Sequence, residues 1–432
     1  MKNTCQEIVT PTIDEIFPYT VCINLDRRAE RWQQMRREFA RHGLHSVRRF
    51  PAIDGEAIEL PEDWVHTPGA YGCLRSHIEV VREARAQGVE RVLILEDDVA
   101  FDDDLARKFA AGIADLPHDW DMLFFGALHK EEPIPITENL VRITRANSTF
   151  ACALRDTVFD AFIELNSNTR EVLDHNSFVL QQQFNCYCFM PHLAWVDVNV
   201  SDAQQRLMDH WYLRESVVVF GAEVDRLLNE TTIIFAHRTA DHYDHATENL
   251  MYLVSYYHHY FSANLEMIVV DQGRQPAIDA ARLPAGCKYV FHRADGPADS
   301  ATCFAAGMQR AEPARRRFIF IDSDIYLETL HLRASLRMCE RYDYVAGFDK
   351  IIDLNQADSV RLRAARTPHG IDLTRTSPDH NGRESVCLFV NRAAIQPLVE
   401  GDANSQILSR LISLPANSAR TFQSPNHALR LH

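Results

Sequence analysis

The sequence predicts an α/β protein built from two Rossmann-type domains, each a mostly parallel central sheet flanked by helices. Three observations carry this. Two short apolar runs end in carboxylates: Val92–Leu95 leads into Glu96-Asp97-Asp98, and Phe318–Ile321 into Asp322-Ser323-Asp324. A continuous apolar run of that length suits a strand buried on both faces, as in a parallel sheet. Around each run, short strand-like and longer helix-like segments alternate. The 432 residues are long for one domain and comfortable for two.

In order, residues 1–17 read as a leader and 18–203 as the first domain. Residues 204–230 read as a helical joint, and 231–432 as the second domain. Tyr19–Leu25 is a strand, followed by an arginine-rich helix from Asp26 to about His42 that Gly43 stops. Its later arginines read as a solvated face; Arg27, Arg28 and Arg31, just past a strand end, suit a phosphate. Val47–Phe50 is a strand before the turn Ala52-Ile53-Asp54-Gly55, and Gly69–His77 opens a helix running to about Gln87. Its glycines permit close backbone approach to a ligand. After the acidic strand, Asp102–Asp104 read as a helix cap. Asp121–Phe125 and Thr149–Leu154 are strands, Thr157–Leu165 is a helix, and Phe189–Trp195 with Pro191 is an edge strand or loop. In the second domain, Thr232–Ala236, Glu266–Val270, Lys288–Phe291, Phe318–Ile321, Tyr344–Phe348 and Val386–Val390 are strands. Thr247–Phe261 and Ser300–Ala311 are helices.

Composition narrows the function. The net charge of −15 argues against nucleic acid as the main partner. No apolar run reaches the roughly 18 residues a spanning helix needs, and the acidic, Pro-interrupted start does not read as a signal peptide. The ten cysteines are scattered. Cys22, Cys152 and Cys387 sit in apolar runs and read as small core residues; Cys186 and Cys188 fit neither a zinc knuckle nor a redox pair. The expectation is a reduced, cytoplasmic protein, compatible with peripheral attachment to the inner face of a membrane.

Ligands collect beyond the carboxyl ends of parallel strands, where carboxylates can hold a hard cation and the cation a diphosphate. Glu96-Asp97-Asp98 and Asp322-Ser323-Asp324 both fit this, and loop capping is the alternative for each. His237, His242, His245, His258 and His259 match no common zinc spacing. The tyrosines at 252, 256, 257 and 260 fall at helical spacings and read as packing.

The order of pieces in the first domain resembles glycosyltransferase family 25, the lipopolysaccharide-type galactosyltransferases with collagen-modifying relatives. The matching residues are Ile23-Asn24-Leu25-Asp26-Arg27-Arg28 with Arg31, Ala52–Gly55, Gly72-Cys73 with Ser76-His77, and Ile94–Val99. Weaker matches continue through Asp121, Ser148–Leu154, Leu173-Asp174 and Pro191 to Ser201-Asp202. Tyr71 and Arg75 depart from the family pattern. The resemblance implies that Asn24, Arg27, Arg31 and Asp97 lie near the nucleotide, and Asp54 and His77 near donor or structural contacts. It places Glu96 and Asp98 at metal and diphosphate, and makes Asp174 the acceptor-side base.

The second domain resembles a GT-A domain of the family 2 type. Thr232–Ala236 with Arg238, Ile268–Gly273 around Asp271, and Phe318–Tyr326 carry that resemblance. It implies that the first strand, Ala236, Arg238 and Asp271 hold uridine, that Asp322 and Asp324 hold metal, and that Glu400 or Asp402 is the base. His432, or His427, would complete the metal shell. Ala305-Ala306-Gly307 replaces the Asn-x-Gly such domains often carry. The expectation is a bifunctional, manganese-dependent glycosyltransferase acting from UDP-sugars on a glycan or lipid-linked glycan. One catalytic half beside a degenerate binding half is the alternative. A non-catalytic scaffold and a nucleotidyltransferase are the other readings.

Overall fold

The structure, a computed structural model, describes residues 11–197, 199–204, 206–238, 245–295, 299–348, 350–354, 356–365, 386–399, 421–423 and 427–430. The chain divides into two units, Met1–Val218 and Val219–His432.

In the first unit, helix α1 (Ile13–Ile16) precedes strand β1 (Thr20–Asn24), which is buried throughout. A 3-10 turn, Asp26–Arg28, leads into α2 (Ala29–Arg41), which buries Met35 and Phe39, leaves Arg36 and Arg37 exposed, and ends at Gly43 with φ +69°. After β2 (Arg48–Pro51) comes α3 (Pro68–Ala86). The Thr67 hydroxyl accepts from Ala70 N at 3.1 Å, Pro68 fills the first turn, and Gly88 at φ +68° ends the helix. Then follow β3 (Arg91–Glu96), β4 (Val99–Phe101), α4 (Leu105–Asp115), β5 (Met122–Phe124), β6 (Leu128–His129), β7 (Ile134–Pro135), β8 (Leu140–Arg142) and β9 (Ala146–Asn147). The unit closes with β10 (Ala151–Arg155), α5 (Asp156–Ser167), α6 (Leu173–Gln183), β11 (Cys186–Phe189), β12 (Ala194–Val196), the hairpin β13 (Asn199–Ser201) and β14 (Arg206–Met208), and α7 (Trp211–Arg214).

The main sheet has the order β2-β1-β3-β10-β5-β11-β8-β7. Only β10 and β8 run against the others. Its inner strands β1, β3, β10, β5 and β11 are largely apolar and buried because both faces are covered there. On one face Val21, Ile23, Val92 and Ile94 meet Leu74, Ile78 and Val81 of α3 and Val158 and Phe162 of α5. Elsewhere Phe17, Phe109, Phe125 and Phe189 form an edge-to-face and stacked aromatic group. Cys22, Cys152 and Cys387 are buried.

In the second unit α8 (Ala222–Asn229) leads to β15 (Thr231–Arg238), α9 (Ala246–Phe261), β16 (Glu266–Gly273), β17 (Lys288–Arg293), α10 (Ser300–Met308) and β18 (Arg317–Asp322). Asp299 caps α10, accepting from Ala301 N and Thr302 N. Beyond lie β19 (Ile325–Tyr326), α11 (Thr329–Met338), β20 (Tyr344–Ala346), β21 (Lys350–Asp353), α12 (Gln356–Ala365), β22 (Cys387–Asn391), α13 (Arg392–Val399), β23 (Thr421–Gln423) and β24 (His427–Arg430). The sheet order is β17-β16-β15-β18-β22-β20-β23, with only β22 reversed. Tyr256 and Tyr257 of α9 are buried and Tyr256 packs on Tyr326, so these two serve packing, while Tyr260 is exposed.

The two sheets share a plan. In each, the acidic strand lies beside the unit's first strand and is followed across the sheet by an antiparallel strand: β1-β3-β10-β5 in one, β15-β18-β22-β20 in the other. The first strand is where the order reverses, so each acidic triplet sits at a topological switch point.

Past the interior strand Cys186–Phe189, residues 190–193 are a loop holding Pro191 and Ala194–Val196 pairs with β4 in a two-stranded sheet, so Phe189–Trp195 is loop and outlying strand as its sequence suggests. Two expectations on local structure change. Residues 204–230 are not helical throughout, because β14 pairs back on β13 before α7 and α8. The glycines of the α3 region approach this chain's own backbone: a Cβ on Gly55 would lie 1.7 Å from the Pro68 carbonyl oxygen, on Gly72 2.4 Å from that of Ile53, and on Gly69 2.2 Å from that of Asp202. Gly55→Ala is therefore expected to cost about 1–3 kcal/mol by forcing α3 off the 54–55 turn; a lowered urea midpoint at unchanged slope checks it. An unmoved midpoint would mean that the turn yields freely.

Candidate functional site

The carboxyl ends of β1 and β3, the 52–55 turn, the start of α3 and residues 201–203 line a cleft open to solvent. The helical period of α3 sets Cys73, Ser76 and His77 on one side of that helix, toward it. Ser76 Oγ accepts from Ile53 N at 2.8 Å and donates to the Gly72 carbonyl at 2.7 Å, fixing the turn that presents Asp54.

Of the residues expected in the first domain, Arg27, Arg31, Asp54, His77, Glu96, Asp97 and Asp98 all line this cleft. Asn24, 1% exposed at the end of β1, stands behind it. Its Nδ2 donates to Asp97 Oδ2 at 2.6 Å and to the Arg28 carbonyl at 3.0 Å, while Arg49 Nε donates to its Oδ1 at 2.7 Å. Arg27 spans Asp54 at 2.9 Å and Asp202 at 2.8 Å. Arg31 reaches Asp97 at 3.0 Å, Asp98 at 3.5 Å and Asp202 at 3.8 Å, and donates to Asn199 Oδ1 at 3.2 Å. Both Asp97 oxygens are thereby bonded, one by Asn24 and one by Arg31.

Glu96 and Asp98 are different. Burial pushes Asp98 up to about 6 against the pull of Arg31. Burial also lifts Glu96 well above the usual range, and Asp98, Asp174 and Asp97 add to it. Asp98 Oδ1 is buried with no hydrogen-bond partner. His77 Nδ1 lies 3.0 Å from the Cys73 carbonyl, and burial pushes the ring down to about 4, so it is neutral. Its Nε2 is buried 3.8 Å from Glu96 Oε1, and the Thr149 backbone also acts on the ring.

Asp174 opens α6 and accepts from Ser148 N at 2.9 Å; burial raises its carboxyl, with the Ser148 and Thr149 amides pulling back. Asp121, a weaker sequence match, lies elsewhere. Its oxygens accept from Thr157 Oγ at 2.6 Å and Asn185 N at 2.9 Å, a structural use at the opposite end of its strand. Asp102 likewise serves its loop, accepting from Asp104 N at 2.8 Å.

Two residues were underweighted by sequence reasoning. Asp202 binds Arg27, Arg28 and Arg31 together, and Asn199 Nδ2 donates to Asp98 Oδ2 at 3.2 Å. Both sit on the returning hairpin, and Ser201-Asp202 at the end of the resemblance was the one signal for them.

In the second unit, Ala236 and Arg238 end β15 beside Asp322 at the end of β18. The Ala236 carbonyl accepts from Ser323 N at 3.1 Å. Arg238 lies 3.7 Å from Asp322 Oδ2. Asp322 accepts from Ser300 Oγ at 2.7 Å and Val386 N at 2.9 Å, and burial pushes it up to about 6 against Arg238. Asp324 is half-buried one residue beyond Ser323. Asp271, fully buried, accepts on Oδ2 from Ala277 N, Ile278 N and Tyr289 OH, while Oδ1 is buried with no hydrogen-bond partner. His237 is buried, with Nδ1 3.3 Å from Ser323 Oγ. Glu400, Asp402 and His432 lie outside the described residues, as does the side chain of His427.

Chemically, five carboxylates (Asp54, Glu96, Asp97, Asp98, Asp202) face two guanidiniums (Arg27, Arg31) in the first cleft. Such a site repels a bare diphosphate and attracts a cation.

Residues 17–132 match the family described as glycosyltransferase family 25 (LPS biosynthesis protein). The N-terminal region thus carries a family 25 glycosyltransferase stretch. Among curated relatives, a glycosyltransferase 25 family member of Aedes aegypti is 34% identical over 129 residues, 26% of this chain and 21% of that protein. Procollagen galactosyltransferase 2 of Mus musculus is 28% identical over 159 residues, 32% of this chain and 25% of that protein. The chain therefore spans about a quarter or less of these relatives' length. Among solved structures, glucosyl-3-phosphoglycerate synthase of Mycobacterium tuberculosis, in complex with Mn2+, UDP and phosphoglyceric acid, is 14% identical. That match covers 48% of this chain and 74% of that chain at a TM-score of 0.30, a bare similarity.

Proposed function

We propose that this chain is a two-domain sugar transferase. The N-terminal unit moves a hexose, galactose foremost, from a UDP-sugar to a growing surface glycan such as lipopolysaccharide, capsule or exopolysaccharide. The C-terminal unit is a family 2-like GT-A domain that adds a second sugar. The reaction would take place in the cytoplasm, at the inner face of the membrane where such acceptors are built. The observation that carries the reading is the acidic cleft at the switch point of the first sheet, lined by residues of the stretch that matches family 25 together with Ser201–Ala203.

The residues present fit a divalent cation. Asp98 Oδ1 is buried and unbonded, and the raised Glu96 beside it is crowded by other acids. Glu96 and Asp98 would hold the ion, with hard oxygen donors suited to manganese or magnesium; Asp97, bonded on both oxygens, would not. Such an ion, when bound, neutralises the charge of a departing diphosphate. Arg27 would turn from Asp54 and Asp202 toward phosphate oxygens, and Arg31, kept on Asp97, would face them beside it, with the fork geometry of both matched to that role. Asn24 would keep Asp97 in place, and Asp54 and His77 would border the donor. Asp174, its carboxyl raised by burial, would take the acceptor hydroxyl proton.

In the second unit, Asp271 Oδ1 is an acceptor suited to an N–H such as that of uracil. Ala236 and Arg238 would border that nucleotide, Asp322, Asp324 and His432 would serve metal, and Glu400 or Asp402 would be the base. A second reading, in which this half only binds nucleotide or glycan, is favoured by one feature. Gly307 of α10 sits against Ile234, where a Cβ would lie 2.5 Å from Ile234 Cγ2, so the Ala305–Gly307 turn serves packing.

The test is UDP release from a panel of UDP-sugars, with manganese and with chelator, on wild type and Asp324→Ala. Two donors should turn over, both only with manganese, and the variant should lose one. If the variant keeps every activity, the second half is degenerate. If UDP binds without turnover and regardless of chelator, the chain is a scaffold.

A further inference from the structure

We infer a second, soft-metal site in the N-terminal unit, formed by His129, Cys188 and His192 and suited to zinc. None of the three lines the cleft described above. They come from three places: the end of β6, the interior strand β11, and the loop just past Pro191. All are inaccessible, at 2%, 0% and 1% exposure. One ligand atom from each falls within 4.8 Å of the other two.

The histidine pair is spaced as in a coordination shell, with the thiol within reach. His192 Nε2 and His129 Nε2 are 3.5 Å apart. Two nitrogens on one tetrahedral zinc, each at about 2.0–2.1 Å from the metal, lie about 3.3 Å from one another. The outer contacts agree. His192 Nδ1 lies 2.8 Å from the Leu213 carbonyl, which holds that ring in the tautomer with its Nε2 lone pair directed at His129. A bond between two neutral rings would account for the histidine pair alone; the thiol beside them donates to the Phe189 carbonyl at 3.4 Å, a contact that metal binding would replace. Burial pushes His129 down to about 3 and His192 to about 4, so both rings offer a lone pair at any physiological pH. Burial raises the Cys188 thiol, so binding must displace its proton to solvent as the sulfur–metal bond forms. One thiolate with two imidazoles selects zinc over the hard cation suited to Glu96 and Asp98. With three protein ligands, the fourth position would be left to a water.

The site has a consequence for the cleft. Leu193 N and Ala194 N both donate to the Phe125 carbonyl, and His192 N donates to Ser216 Oγ at 2.8 Å. From there β12 pairs with β4, directly after Asp98, and the chain returns to deliver Asn199 and Asp202. An ion at His192 would anchor the root of that returning segment.

The experiment uses the full chain, made without a metal-affinity tag in zinc-supplemented medium. Elemental analysis should find one zinc per chain, lost by Cys188→Ser and by His129→Gln. Wild type stripped and reloaded with cobalt should show tetrahedral d–d bands and a thiolate-to-cobalt charge-transfer band. Chelation should lower the melting temperature by about 5–15 °C, restored by zinc and not by manganese. If the variants fail to fold, the cobalt spectrum of wild type decides. Zinc-free wild type whose cobalt spectrum lacks the thiolate band, or zinc retained in Cys188→Ser, overturns the assignment.

Discussion

Asp98→Asn should reduce UDP release in the N-terminal unit by about 10³-fold or more while raising the melting temperature of the metal-free chain. The two effects have one cause. Asp98 is buried beside Glu96 and Asp97, and burial outweighs Arg31 in pushing its carboxyl to about 6. A carboxylate held ionised at neutral pH in such a place destabilises the fold. Replacing it with a neutral amide relieves on the order of 1–3 kcal/mol, a gain of a few degrees. Asn199 and Arg31 keep an oxygen to bond. The same substitution removes a hard ligand from the proposed cation site, where neutralising a leaving diphosphate accounts for several kcal/mol of the barrier. Stability given up for activity marks a working site. Asp121→Asn is the control, because that carboxylate serves Thr157 and Asn185. It should lower stability and leave the specific activity unchanged. UDP release at saturating donor with manganese, and melting curves in chelator, read both. If Asp98→Asn loses stability as well as activity, the triplet is a structural cap.

What was legible in the sequence follows the range of the signal. Val92–Leu95 and Phe318–Ile321 announced buried strands because a run of four apolar residues has few other uses in a soluble chain. The acids that follow were placed by the same logic, since strand ends in such sheets face ligands. Strand direction was not legible: β10 and β22 are apolar runs like their neighbours, and only pairing shows that they run backward beside the acidic strands. Helix α6 was missed because its polar residues Asn176, Ser177 and Gln181 face inward, blurring the apolar stripe. Asp202 and Asn199 carry no local pattern, since their meaning lies in arginines some 170 positions earlier. The His129, Cys188 and His192 cluster escaped for the same reason. Zinc is recognised in sequence by close ligand pairs, and Cys186 with Cys188 drew attention to the wrong partner. In the strand, Cys188 meets two histidines brought by different connections.

Arg31 is where stability and binding are most tightly joined, and Arg31→Ala should be the most destabilising single change in the cleft. Its side chain is 14% exposed and its guanidinium faces Asp97, Asp98 and Asp202 at 3.0, 3.5 and 3.8 Å. Without it, three acids and Glu96 remain in a poorly solvated space. Removing one partner from a buried ion pair costs about 3–5 kcal/mol, or a fall of roughly 10 °C for a unit of this size. Arg31→Lys keeps the charge but loses the planar fork and should fall between. The double variant Arg31→Ala/Asp97→Asn should recover part of the loss, because it removes one orphaned charge along with its partner; the non-additivity measures their coupling. Manganese should stabilise Arg31→Ala more than wild type, since a cation held by Glu96 and Asp98 supplies the positive charge that the arginine no longer does. If Arg31→Ala melts like wild type and only raises KM for the donor, the arginine is a substrate contact alone and the acids do not need it. If it melts low and manganese restores nothing, the acids are held by Arg31 and Asn24 for the fold, and the cation site must be sought elsewhere.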